Sequence, residues 1–281
     1  MTAQIMNGQE LAKDIRQALK TKLETLKIAP KLAIVLVGND ASSEIYVRNK
    51  QKFAQEVGIE AQLYAFENNV KQETLENLVT KLNNDRTVNG ILFQLPLPKH
   101  LNEKALLNKI NPKKDVDGFH PLNMGLLQNG DADGCIAATP KGVLRLIKHY
   151  DITLEGKNAL VIGRSKIVGK PMAMLLLNED CTVTVAHSKT QNLKSLCAYA
   201  DIVVAATGCT KMIKKDWVKK DAVVIDVGIC HDNQGKLCGD VDFESVREVA
   251  SYITPVPGGV GPMTIAMLLE NTVDAYLKQN A

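Results

Sequence analysis

Aromatic residues are scarce, at 4% of the 281-residue chain, which leaves too few rings for a base-stacking nucleic-acid platform. Charge of one sign is also lacking. Thirty-four Lys and Arg against 31 Asp and Glu leave a formal +3, too little to draw nucleic acid or an anionic membrane as partner. No apolar run approaches membrane-spanning length, and residues 1–10 show no basic-then-apolar leader pattern. A soluble, cytoplasmic protein is the expectation. The six cysteines, Cys135, Cys181, Cys197, Cys209, Cys230 and Cys238, form no C-x-x-C pair. A chain of this size does not need disulfide staples, so they read as free, mostly buried thiols. Cys230 and His231 are neighbours, but two ligands alone do not make a zinc site. No metal is expected, and no repeats or low-complexity tracts occur.

Hydrophobic residues at 45% and charged residues at 23% suit a globular protein with a sizeable core. Apolar runs of strand length fall at 31–37, 62–66, 90–95, 158–162, 183–186, 202–206, 223–227 and 252–256. Helical patterns lie between them, among them 72–83, 140–150 and 168–177. Near-continuous apolar strands joined by helical crossovers predict an α/β protein with mostly parallel sheets covered on both faces. The alternation pauses over 113–139, rich in Gly, Asp and Asn, which reads as a junction between two domains. A final helix over 264–278, apolar around its first turns, must be buried and is expected to return to the first domain. The division expected is 1–121 plus 263–281, and 122–262, with a cleft between the two domains.

The strand at 158–162 runs into Gly163-Arg164-Ser165-Lys166-Ile167-Val168-Gly169-Lys170-Pro171 and then a helix. A glycine turn there lets backbone N–H groups approach a pyrophosphate at the positive end of the helix dipole. The segment is not G-x-G-x-x-G, so a plain strand-to-helix turn is the competing reading. The next strand favours the first. NAD-binding versions carry an acid at its C-terminal end, whereas this one ends in His187-Ser188-Lys189-Thr190. A carboxylate would repel a 2′-phosphate, while Arg164, Ser188 and Lys189 offer donors and positive charge. NADP is therefore expected over NAD.

In the N-terminal half, Ser42 or Ser43 is a candidate cap for a helix through 46–57. Lys50 shares an apolar stripe with Tyr46, Phe53 and Val57. It either snorkels to solvent or, held in a desolvated cleft, loses pKa and becomes a base. Gln94 ends the buried strand at 90–95, where open α/β sheets bind ligands, and an amide there needs partners. Lys114-Asp115-Val116-Asp117-Gly118 is a polar turn that reads as a solvated loop or, weakly, a cation loop. It has too few ligands for calcium, as does Asp131-Ala132-Asp133-Gly134. Pro255-Val256-Pro257-Gly258-Gly259-Val260-Gly261-Pro262 is a stiff loop whose backbone admits close approach of a ligand.

Together these segments resemble the bifunctional methylenetetrahydrofolate dehydrogenase/cyclohydrolase family. The matching motifs are Tyr46-Val47-x-x-Lys50, the run from Gly90 through Gln94 to Pro98, and Lys114 through Asp117 to Pro121. Gly163 through Pro171 and Pro257 through Thr264 follow. They keep the family's order over nearly the whole chain. One departure stands before Thr139-Pro140, where Ala137-Ala138 replaces the family's usual Pro-Cys.

The resemblance implies an α/β catalytic domain, a Rossmann-like NADP-binding domain and two steps in one cleft: 5,10-methylenetetrahydrofolate gives a hydride to NADP⁺, and water then opens the methenyl cation to 10-formyltetrahydrofolate. That places the enzyme in one-carbon metabolism and purine biosynthesis. It further implies Lys50 as general base, Gln94 as its hydrogen-bonded partner, Tyr46 packed on the aminobenzoate ring and Asp117 on the pterin's amino edge. Pro257, Gly258 and Gly261 line the folate side. Gly163, Arg164, Ser165 and Ser188 hold the cofactor, with Ile229 and Thr264 beside it. A homodimer through the cofactor domain is also implied.

Overall fold

The computed structural model describes residues 2–25, 28–131, 133–232 and 234–280, with the side chains of Ala41 and Ser42 outside that description. Ala132, in the polar segment 131–134, also lies outside it.

Along the chain the elements run β1 (Gln4–Ile5), α1 (Gly8–Leu23), β2 (Lys31–Val37), α2 (Ala41–Val57), β3 (Glu60–Phe66), α3 (Gln72–Asn84) and β4 (Gly90–Phe93). Next come α4 (Glu103–Lys109), α5 (Pro121–Gln128), α6 (Ala138–His149), β5 (Asn158–Ile162), α7 (Gly169–Asn178), β6 (Thr182–Ala186) and α8 (Leu193–Tyr199). β7 (Ile202–Ala205), β8 (Val223–Asp226), β9 (Cys230–His231), β10 (Leu237–Cys238), α9 (Phe243–Val246), β11 (Tyr252–Ile253) and α10 (Val260–Asn280) complete the order.

The chain forms two compact units, 1–12 with 139–264 and 13–138 with 265–281. These boundaries differ from the expected ones for identifiable reasons. Residues 1–12 group with the later unit because β1 pairs in parallel with β11. Residues 122–138 group with the earlier one because Asn123 bonds Asp115 and the Pro112 carbonyl, and Gly118 packs on the backbone of 135–137.

The unit containing 13–138 is built on a parallel sheet in the order β3-β2-β4. The central β2, Lys-Leu-Ala-Ile-Val-Leu-Val, is buried along its length after Lys31, as expected of a parallel strand covered on both faces. Ala33, Val35, Ile91 and Phe93 join Leu75, Val79 and Leu82 of α3 in one core. From Ile265 onward α10 belongs to this unit, where Asn271 donates to the Val116 and Ile136 carbonyls.

The other unit carries a six-stranded, all-parallel sheet in the order β1-β11-β8-β7-β5-β6. Its core gathers Leu160, Ile162, Val203, Ala205, Val224 and Ile253. β11 is shorter than the run at 252–256, because Pro255 and Pro257 have no N–H for the ladder. α5 lies inside the stretch expected to be irregular. Pro121 starts it and the His120 ring accepts from the Leu122 amide, a cap that composition alone does not reveal. No helix among the described residues is long and apolar enough to cross a membrane. None of the six cysteines, all among the described residues, forms a disulfide; Cys181, Cys197 and Cys238 are buried, Cys135 and Cys230 half-buried and Cys209 exposed.

Candidate active site

α2 brings the first residues together. Its N-cap is Asp40, whose carboxylate accepts from the Ser43 amide at 2.8 Å, so Ser43 is capped rather than capping. The Ser42 side chain lies outside the described residues. Asp40 is the better cap because its acceptor is ionised and meets the positive helix end. Tyr46 and Lys50 follow one turn apart, both half-buried. Lys50 does not snorkel to solvent. Its Nζ donates to Gln94 Oε1 at 3.1 Å, while Gln94 Nε2 donates to the Leu95 carbonyl at 2.9 Å. The amide is thereby satisfied on both sides and locked in orientation. Desolvation lowers the Lys50 pKa, and the attraction of Asp117 opposes it only in part. Burial also pushes the Tyr46 hydroxyl up.

Asp117 rides on a loop fixed from several directions. Lys114 is buried, and its Nζ donates to the Leu82, Asn83 and Asp85 carbonyls at 2.9, 2.9 and 2.7 Å. It thus caps the C-terminus of α3, where a cation suits the dipole. Asp115, also buried, accepts from the amides of Gly118, Phe119 and His120 and from Asn123 Nδ2. Asn271 of α10 holds the Val116 carbonyl at 2.9 Å. The segment is neither a solvated turn nor a cation loop, because the charges of Lys114 and Asp115 are spent on backbone groups and on Asn123 of the same unit. Local pattern could not distinguish these readings, since buried and solvated Lys-Asp pairs look alike in sequence.

Desolvation pushes the Asp117 carboxyl up to about 6, against the attraction of Lys50 and with added repulsion from Asp115. The folded state therefore binds this proton more tightly than the unfolded chain, whose carboxyl titrates near 4. The resulting stability is present below about pH 4 and is lost as pH rises to about 6. Asp117→Asn should accordingly gain on the wild type across that window, by about 2–3 kcal/mol. Urea midpoints measured from pH 4 to 7 check this, and a difference independent of pH would refute it.

The second group of residues lies in the unit with the six-stranded sheet. β5 and β6 pair in register through Ile162 and Ala186, and Gly163 donates to the Ala186 carbonyl at 2.8 Å. Arg164 and Ser188 therefore follow the ends of adjacent parallel strands by the same two residues, and both are exposed. Gly163 has φ +135°, and a Cβ there would overlap the Ala206 carbonyl, so only glycine fits this turn. Ser165 Oγ accepts from the Val168 and Gly169 amides at 3.1 and 3.3 Å, which leaves its own proton to donate. His187 and Thr190 fold the following turn on itself, with Ser188 and Lys189 exposed at its tip. A tight glycine turn, a helix N-terminus, one guanidinium and two hydroxyls match the donor set for a phosphorylated dinucleotide.

The remaining expected residues sit in the same unit. Gly258 adopts φ +103°, and a Cβ on Gly259 would strike Pro255 and Thr254. At Gly261 a Cβ would meet no heavy atom within 4 Å, so neither φ nor packing within the chain explains that glycine. Thr264 and Thr139 share a hydroxyl hydrogen bond of 2.9 Å. Ile229 is 51% exposed, Pro257 is exposed, and Ala137 and Ala138 are both buried.

Comparison with known proteins finds relatives over both parts of the chain. The model of the tetrahydrofolate dehydrogenase/cyclohydrolase catalytic domain matches residues 6–117, and that of its NAD(P)-binding domain matches 137–280. The bifunctional protein FolD of Ligilactobacillus salivarius is 53% identical, over 98% of this chain and 97% of its own. The crystal structure of the bifunctional FolD methylenetetrahydrofolate dehydrogenase/cyclohydrolase from Campylobacter jejuni superposes with TM-score 0.97 at 47% identity, covering 98% of this chain and 99% of that one. The Trypanosoma brucei methylenetetrahydrofolate dehydrogenase-cyclohydrolase, complexed with NADP cofactor and inhibitor, gives 0.95 at 38% identity, covering 99% and 98%. The chain belongs to the tetrahydrofolate dehydrogenase/cyclohydrolase family.

Proposed function

We infer that the chain oxidises 5,10-methylenetetrahydrofolate with NADP⁺ and hydrolyses the resulting methenyl cation to 10-formyltetrahydrofolate. The observation that carries this reading is a desolvated lysine bonded to an amide instead of a carboxylate. Hydride transfer alone needs no such base, whereas hydrolysis does. NADP⁺, when bound, accepts the hydride, and the folate nitrogen lone pairs drive its departure.

Neutral Lys50 takes a proton from the water that attacks the methenyl carbon. As the bond from that carbon to N5 opens, Lys50 returns a proton to N5, and the overall hydration releases one proton to solvent. Gln94 keeps Nζ aimed at the reacting water. Asp117, ionised on binding, accepts from the pterin's amino edge, for which an acceptor-only group is suited. Tyr46 supplies a face for the aminobenzoate ring. Pro257, Gly258 and Gly261 border the folate, and Gly261 leaves room for it. Gly163 and Ser165 take the pyrophosphate, Arg164 and Ser188 the 2′-phosphate, and Ile229 and Thr264 flank the cofactor.

Absorbance-monitored turnover with NADP⁺ and with NAD⁺, followed by decay of the methenyl product, tests this directly. NADP⁺-dependent methenyl formation with accelerated hydrolysis is expected. A folded protein that turns over no folate would overturn the reading.

The same reading includes a cytoplasmic homodimer joined through the cofactor unit and supplying formyl groups for purine synthesis. Supporting the dimer, β6 is the edge of the six-stranded sheet, with Val185 41% exposed and Tyr199 of α8 70% exposed. Apolar side chains on an open edge invite pairing with a second copy. Val185→Lys should convert the dimer to monomer in sedimentation runs. A wild type that sediments as a monomer would dispose of the idea.

A further inference from the structure

Two buried carboxylates in the cofactor unit take no part in the chemistry above. Asp226 ends β8 and Asp240 follows β10; they are 3% and 0% exposed. Burying two like charges is costly unless hydrogen bonds satisfy them. Here backbone amides do so. Asp240 accepts from Thr207, Gly208 and Cys209 at 2.5, 3.3 and 2.9 Å. Asp226 accepts from Gly228, Asp240 and Val241, each at 2.9 Å. Even so, desolvation holds the Asp226 carboxyl up at about 6. Neighbouring backbone has been cleared for both groups: a Cβ on Gly228 would overlap the Asp240 carboxylate, and one on Gly239 would overlap that of Asp226.

What the pair holds is the C-terminal rim of the sheet. The segment 206–209 follows β7, and its first carbonyl, that of Ala206, lies against Gly163 of the cofactor turn. Ala206 also donates to the Ile162 carbonyl at 2.8 Å. The segment 227–229 follows β8 and ends in exposed Ile229. Asp226 donates its own amide to Thr254 Oγ1 at 2.7 Å, at the start of the Pro-Gly loop. Ligands of open parallel sheets bind at this rim. The amides of 207–209 all turn inward to Asp240, so this segment cannot bind phosphate through them. Its contribution is shape.

We propose that Asp240, seated by Asp226, is a positioning residue for NADP⁺, fixing the 206–209 and 227–229 segments against the Gly163 turn. This rests on the cofactor reading above. The test is Asp240→Asn, isosteric but bringing an amide donor to face backbone donors. NADP⁺ affinity, measured by calorimetric titration, should fall at least tenfold, and KM for NADP⁺ should rise in parallel. Hydrolysis of the methenyl substrate, which consumes no NADP⁺, should change less than twofold. An unchanged NADP⁺ affinity would overturn the proposal, and so would equal losses in both activities, which would mark a merely structural role.

Hydrogen exchange on the wild type keeps the proposal testable if the variant does not fold. The amides of Thr207 and Cys209 should be protected before NADP⁺ is added; rapid exchange there would also overturn it. A wild type that binds no NADP⁺ in the titration would instead defeat the cofactor reading, whatever the exchange shows.

Discussion

Lys50→Met should lower methenyl hydrolysis by about 10²–10⁴-fold, the usual worth of a positioned general base, while NADP⁺ still binds. Methionine preserves length and apolar packing but has no proton to exchange, so the loss reports chemistry more than shape. Lys50→Arg sharpens the result. Arginine keeps the positive charge beside Asp117 yet does not deprotonate in a protein. If a neutral amine is required, both variants fail alike. Hydrolysis retained in the arginine variant would mean that charge suffices, and hydrolysis at the wild-type rate in the methionine variant would remove Lys50 from the mechanism. The Gln94 bond explains why the amine is poised. It occupies one Nζ hydrogen without supplying a compensating negative charge, and so does not cancel the desolvation that lowers the pKa.

Arg164→Ala should weaken NADP⁺ by roughly ten- to a hundredfold, since a hydrogen bond to a charged group is worth about 1.5–3 kcal/mol. NAD⁺, which lacks the 2′-phosphate, should lose less than about twofold. Competitive binding of the two cofactors to wild type and variant measures the contrast, and equal losses would show that Arg164 does not read the phosphate. The register of β5 and β6 makes the expectation specific, because it sets Arg164 and Ser188 at matching steps beyond their strands. Raising the salt concentration should narrow the contrast, because the Arg164 side chain is exposed.

Much of this was legible in the residue order. The runs at 31–37 and 158–162 became β2 and β5 with the same limits, because an apolar strand buried on both faces leaves a continuous signature. Lys50 and Gln94 stood out as polar residues on apolar elements, and the structure brings them to 3.1 Å. What stayed hidden were the groups that act over long sequence separations. Asn271 reaches Val116 across 155 positions, and nothing near either residue announces the other. Asp226 and Asp240 were equally silent. The apolar run at 223–227 suggested only a strand, and a carboxylate satisfied by amides looks in sequence like one satisfied by water. The α5 helix was missed because a histidine ring caps it.

The way α10 is shared between the units bears on how the protein is made. Residues 13–138 leave the ribosome early, but the unit they belong to also needs residues from 265 onward, including the Asn271 that secures the Asp117 loop. Translation proceeds from the N-terminus, so a nascent chain must carry an unfinished folate-binding half through synthesis of the whole intervening segment. A message broken before that point lacks Asn271 and, with it, the bond that holds the Val116 carbonyl beside Asp117.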